Sequence, residues 1–144
     1  MDYGQLTDYL KSVANGHVNV VYSEAGYVED INWGENNYPM VMFVCQPGTF
    51  QGNRINYNMT MIVADIMDDN TRQQITKQSN MFNIGKDIIT YIITNNQVAN
   101  PPVNLVEESV IFTPFTDHMP DLCTGFQFDF QIYVMNKNEC DVPI

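Results

Sequence analysis

Positive charge is scarce in this chain: six Lys and Arg stand against seventeen Asp and Glu in 144 residues, a net charge of −11. A surface that grips nucleic acid needs clustered Lys and Arg, and docking on an anionic membrane needs a polybasic patch, so both functions are excluded on charge. Cysteine is sparse as well. Cys45, Cys123 and Cys140 are odd in number, far apart and without a CxxC pair, which argues against a disulfide framework or a zinc site. They read as free thiols in a reducing compartment, with Cys45 as core filling. No apolar run approaches the roughly 18 residues of a membrane span. The opening residues MDYGQLTDYLKSVANG lack a basic stretch followed by an apolar one, so no signal peptide is expected.

What is present is enough to build a core. Hydrophobic residues make up 44% of the chain and aromatics 12%, and a chain of this length buries roughly 68–70% of its unfolded surface. With no internal repeat and no linker-like composition, residues 1–144 read as a single domain. Its core spans about 2–135, and the polar tail Asn136 to Ile144 reads as an arm or a disordered end.

Leu6, Tyr9, Leu10 and Val13 recur at helical spacing, so Asp2 to Ala14 reads as a short amphipathic helix stopped at Asn15-Gly16. His17 to Tyr22 and Tyr27 to Trp33 are strand candidates around Ala25-Gly26. Tyr38 to Gln46, almost wholly apolar, reads as a central strand buried on both faces, with Pro39 at its start. A loop is expected from Pro47 through Asn53. Ile55, Tyr57, Met59, Met61 and Val63 then alternate with their neighbours as one long strand that ends in Asp68-Asp69-Asn70. The segment from Thr71 to Asn95 reads as the longest helix, with Ile75, Phe82 and Ile89 recurring at seven and Ile88, Ile92 and Ile93 widening the stripe. Gly85 inside it costs about 1 kcal/mol against Ala, which implies that a strand or a neighbouring subunit passes close. Leu105 to Phe115 is a strand broken at Pro114. The last strand, opened by Gly125, places Phe126, Phe128, Phe130, Ile132 and Val134 on one face. The fold class is α+β: a mostly antiparallel sheet of four to six strands, with the long helix (about 71–95) and the short N-terminal helix packed on it. Phe126, Phe128 and Phe130 are expected to meet the stripe of Ile75, Phe82 and Ile89.

The chemistry-bearing residues are few. Asp117, His118 and Asp121 are the one compact set of possible metal ligands, and they also suit an ordinary turn. Asp65, Asp68 and Asp69 suit a strand end followed by a helix start. No Walker loop, GxGxxG, GxSxG or HExxH occurs. Neither Cys45 nor Cys123 has a histidine neighbour in sequence that would activate it as a nucleophile. No catalytic residue, cofactor or metal site is therefore expected. Nine Met, eight Tyr and a loop carrying Phe50 suit association surfaces, which are enriched in Tyr, Phe, Met and Arg.

The short N-terminal helix, the buried strand after Tyr38-Pro39, the long strand ending in Ala64-Asp65, the helix from Thr71 and the final Asp121-x-x-x-Gly125-Phe-x-Phe-x-Phe strand occur in a telling order. Over about residues 2 to 135, this arrangement resembles the tail-terminator and neck-ring (head–tail joining) proteins of tailed bacteriophages. The Asn-, Ile- and Tyr-heavy usage is similar to that of crAss-like phages. The resemblance implies a structural virion protein without catalytic residues, assembled in the host cytoplasm. Six or twelve copies would close into a ring between portal or adaptor and tail proteins, and genomic DNA would pass through the lumen without specific binding. It also implies that Pro47 to Arg54 reaches a neighbouring ring, with Phe50 and Arg54 as anchors. Met119 and Leu122 are expected at an interface too. An acidic lumen would repel phosphate and let DNA slide. Two other readings remain open: a monomeric acidic binding module or inhibitor, and a small metal-dependent enzyme built on Asp117, His118 and Asp121.

Overall fold

The computed structural model describes residues 3–26, 38–66, 71–96, 102–116 and 123–135, with the side chains of 71–73 left aside. The elements run α1 (Tyr3–Asn15), β1 (Tyr22–Ala25), β2 (Met40–Gln51), β3 (Arg54–Ile66), α2 (Thr71–Thr94), β4 (Asn104–Thr116) and β5 (Cys123–Met135). The strands form one five-stranded sheet in the order β1-β2-β3-β5-β4. Only the short β1 is parallel to its neighbour; the other three pairings are antiparallel. The α+β class expected from the segment order is the one observed.

Alternation along β3 and β5 explains why both helices lie on one face of the sheet. Met59, Met61 and Val63 on β3 and Phe128, Phe130, Ile132 and Val134 on β5 point to the same side. There they form one buried cluster with Leu6, Leu10 and Ala14 of α1 and Met81, Ile84, Ile88, Ile89 and Ile92 of α2. Burying each such side chain contributes about 1.5–3 kcal/mol. Gly85 lets α2 come down onto β5: a Cβ there would lie 2.1 Å from a ring carbon of Phe128. The close neighbour expected at Gly85 is therefore a strand of the same chain.

The seven-residue stripe expected to face the core needs correction. Ile75 is 63% exposed, and Phe82 is half-buried at the margin. The residues pressed onto the sheet are Met81, Ile84, Ile88, Ile89 and Ile92, so the expected stripe holds at Ile88, Ile89 and Ile92 and fails at Ile75. Of the expected stripe, Phe82 meets Phe126 and Phe128 at ring-centre distances of 5.2 and 5.8 Å. The apolar arc of α2 is wider than the strip of sheet it covers, so one side of it is left over.

Three strand expectations also shift. His17 to Tyr22 is no strand. Gly16, His17 and Val20 donate to Ser12, Ala14 and His17 carbonyls in consecutive turns, and the Asn19 N–H is taken by His17 Nδ1 at 3.1 Å, so pairing begins only at Tyr22. The strand after Pro39 is buried on both faces over Met40 to Phe43, as its composition requires, yet the central strand is β3. The expected loop from Pro47 to Asn53 is largely strand. A register shift between Gln46 and Thr49 absorbs Pro47 and Gly48, Asn58 Nδ2 donates to the Pro47 carbonyl at 2.7 Å, and the chain reverses only at Gly52, whose φ is +61°. Likewise Pro114 does not break β4. It pairs opposite Phe126, because β4 is an edge strand, where a missing N–H costs the ladder nothing. Tyr27 to Trp33, Asp68-Asp69-Asn70 and the tail Asn136 to Ile144 lie outside the described residues.

The face of the sheet away from the helices carries a second buried cluster at one end, made of Tyr38, Met40, Met42, Ala64, Phe115 and Cys123. Towards the hairpin it turns polar. Thr60 Oγ1 donates to Asp129 at 2.6 Å, and Gln131 Nε2 donates to Asn58 Oδ1 at 3.4 Å.

α1 is tied to β1 through Glu24. Its carboxylate accepts from the Ala25 N–H at 3.0 Å and pairs with Lys11 at 3.1 Å. The Ala25 N–H and then Lys11 hold the Glu24 carboxyl below its ordinary value, against the opposing pull of burial. A lowered folded-state pKa contributes stability above the ordinary carboxylate pKa, and that stability is lost as pH falls through the lowered value. Glu24→Gln is therefore expected to lower the melting temperature at neutral pH and leave it close to wild type at the acid end of a pH titration. A constant offset at every pH would contradict this role.

Candidate interaction surface

β2 and β3 pair from Met40–Ala64 out to Gln51–Arg54, making a hairpin whose far half has few neighbours among the described residues. β1 flanks β2 only over Met40 to Phe43, and the residues of β2 from Gln46 to Gln51 are exposed. At the tip Phe50 is 78% exposed, the most exposed aromatic ring among the described residues. Leaving such a ring in water forgoes about 1.5–3 kcal/mol of burial. Phe50 pairs opposite Ile55 and shares the helix side of the sheet, whereas Gln51 and Arg54 project from the other side. Arg54 lies flat over Tyr133, its guanidinium carbon 3.7 Å from the ring centre. Its Nε is buried without a hydrogen-bond partner. Among the described residues no carboxylate pairs with it, since the ion pairs join Lys11 to Glu24 and His17 to Asp87.

A second apolar surface runs between α2 and β4. Ile75, Gln78, Ser79, Phe82, Phe112 and Phe126 line an open cavity of about 350 Å³. A smaller one of about 220 Å³ continues it past Ile89 and Ile93, with Lys86 and Glu107 at its margin. From Ile75 to Ile93 the groove follows α2 for about 27 Å at ~1.5 Å per residue. Phe112 on β4 is 55% exposed, whereas Ile111 pairs opposite Asp129 and lies on the other face of the sheet. Phe112 packs edge-on to Phe82 at 5.1 Å, so the groove wall is aromatic surface. Between Val106 and Ile111 the β4–β5 register shifts, and the bulge carries Glu107 and Glu108 outward.

The one histidine–carboxylate pair among the described residues joins the turn after α1 to α2. His17 Nδ1 accepts from the Asn19 N–H, which leaves the proton on Nε2, and Nε2 donates to Asp87 at 3.0 Å. With both ring nitrogens engaged, this imidazole has no free lone pair to act as a base on a substrate. The pair sits between two open cavities of about 410 and 420 Å³. Ser12 in the first has its hydroxyl committed to the Tyr9 carbonyl at 2.7 Å. Burial pushes the Cys45 thiol up, away from the reactive thiolate, and the buried Cys123 Sγ lies 3.0 Å from the Tyr38 hydroxyl.

Of the residues expected at an interface, Phe50 and Arg54 are brought together on one hairpin, while Met119 and Leu122 lie outside the described residues, as do Asp117, His118 and Asp121. Asp65 is half-buried at the end of β3. Sequence reasoning missed the groove. Its signal was the recurrence of Ile75, Phe82 and Ile89 at seven, which marks an apolar face of a helix without saying whether the sheet covers it. No protein-family model matches the chain, and no curated protein sequence matches it either.

Proposed function

We propose that this chain is a structural virion protein that forms a ring in the head–tail connector, neck or tail terminator, of a tailed bacteriophage. One observation carries the reading: a single chain presents two unlike exposed features at different places on its sheet, the α2–β4 apolar groove and a polar hairpin tip carrying the exposed Phe50. A self-assembling subunit that meets its neighbours head to tail needs two unlike surfaces of this kind. A monomeric binding module needs only one. The order of α1, β2, β3, α2 and β5 supports the same reading through the resemblance noted above. The net charge of −11 suits a lumen through which DNA slides, because each added copy deepens a negative field that repels phosphate.

Purified protein, alone and mixed with the portal or tail protein beside it, is expected to give rings with a central opening in negative-stain images. Light scattering should give a mass of six or twelve subunits. Particles that stay monomeric in both conditions would sink the reading.

A further inference from the structure

The two open surfaces lie too far apart on one chain to satisfy each other. Phe50 sits in the cross-strand row that holds Ile55 and Val134, and Phe112 in the row that holds Phe128 and Met61. Six residues along β5 separate the rows, about 20 Å at ~3.3 Å per residue, and three strand spacings of ~4.8 Å separate β2 from β4. No phenylalanine side chain spans that gap, so a hairpin cannot fill its own groove.

Backbone strand addition is disfavoured at both open edges. Pro47 and the register shift after Gln46 interrupt the unflanked stretch of β2. Pro114 and the bulge bearing Glu107 and Glu108 interrupt β4. Prolines, bulges and charges are the devices that blunt a sheet edge. What remains is insertion of side chains.

We propose that the hairpin tip of one copy of this chain inserts Phe50 into the α2–β4 groove of the next copy, with Arg54 meeting Glu107 or Glu108 across the contact. The inference rests on the ring-subunit reading and names the contact that would build it. Charge complementarity selects the occupant. The stretch from residue 36 to 64 contains no acidic residue and one cation, Arg54, and that cation is unpaired among the described residues. The groove's strand wall offers two adjacent carboxylates, Glu107 and Glu108, which join no ion pair among the described residues. Phe50 leaves from one side of the hairpin, towards the aromatic and aliphatic lining at Ile75, Phe82 and Phe112. Arg54 lies over Tyr133 on the other side and would turn from that ring to reach the β4 bulge. The cavity of about 350 Å³ accepts a phenyl ring. Because tip and groove are different surfaces, the contact is heterologous and propagates from copy to copy until it closes.

The test uses the full chain under the conditions in which wild type assembles, with the neighbouring virion protein present if that is required. Phe50→Asp spoils the tip and Ile75→Asp spoils the groove, and both positions are exposed enough to leave the melting temperature unchanged. Each variant alone is expected to lose ring formation. An equal mixture of the two should yield dimers and nothing larger, since one intact tip remains for one intact groove. Arg54→Glu should weaken assembly at least tenfold, and Glu107→Arg with Glu108→Arg in the same chain should restore it. Rings that persist in both Phe50→Asp and Ile75→Asp, or a mixture that never forms the dimer, overturn this contact and leave the ring reading standing. A wild-type chain that stays monomeric in every condition overturns both.

Discussion

Phe128→Ala is expected to destabilise the fold by about 3–5 kcal/mol, the range for emptying a buried phenylalanine site, and to lower the melting temperature by on the order of 10 °C in a domain of this size. Phe128 is 1% exposed. Its ring centre lies 5.8 Å from Phe82, 6.3 Å from Phe112 and 6.2 Å from Phe126. The ring also occupies the space above Gly85, where an added Cβ would approach it to 2.1 Å. The site cannot collapse onto the vacancy without moving α2, so the cavity term persists. Gly85→Ala tests the same contact from the helix side. In the native background it is expected to destabilise, because overpacking at about 1–3 kcal/mol outweighs the helix-propensity gain of about 1 kcal/mol. In the Phe128→Ala background the clash is gone and only the propensity gain is left, so the same substitution should become stabilising by about 1 kcal/mol. Chemical denaturation of the two single variants and the double variant measures this reversal of sign. Simple additivity would contradict the packing described here.

Gly125 is the second place where one added carbon should matter most. It sits on β5 opposite Ala64 of β3 and Phe115 of β4, and a Cβ there would lie 1.9 Å from the Val63 carbonyl oxygen and 3.1 Å from the Ala64 Cα. The obstacle is backbone, which has no alternative rotamer, so relief requires sliding two strands at the centre of the sheet. Gly125→Ala is expected to cost at least the upper end of the ~1–3 kcal/mol typical of overpacking. Gly125→Val should leave little folded protein to purify. For the alanine variant, the denaturation midpoint should fall with an unchanged slope, since the folded and unfolded surfaces are otherwise the same. An unchanged midpoint would mean that β3 and β5 are not held at this spacing.

The elements that could be read from the chain alone are those whose pattern is local. Alternation at period two places Phe128, Phe130, Ile132 and Val134 on one face of a strand whatever lies opposite, because the pleat itself sets that period. The apolar residues of α1 and α2 likewise identify helices, and the scarcity of Lys and Arg excludes a nucleic-acid grip without any fold at all. Gly85 was legible as a close approach, since an isolated glycine in a good helix has a cost that some neighbour must offset.

Other features depend on pairing between distant segments. Pro47, Gly48 and Pro114 look like breaks, and they become a bulge and an edge only once β2 has β3 beside it and β4 stands last among the described strands. The arc of α2 holds two apolar stripes, and only the width of the sheet decides that Met81, Ile84, Ile88 and Ile92 are covered while Ile75 is left to line a groove. Sequence by itself thus determined the layers, the class and the acidic character, because these follow from local periodicity and composition. Tertiary structure alone decided which apolar residues stay in water, because exposure is a property of what packs against a side chain and not of the side chain itself.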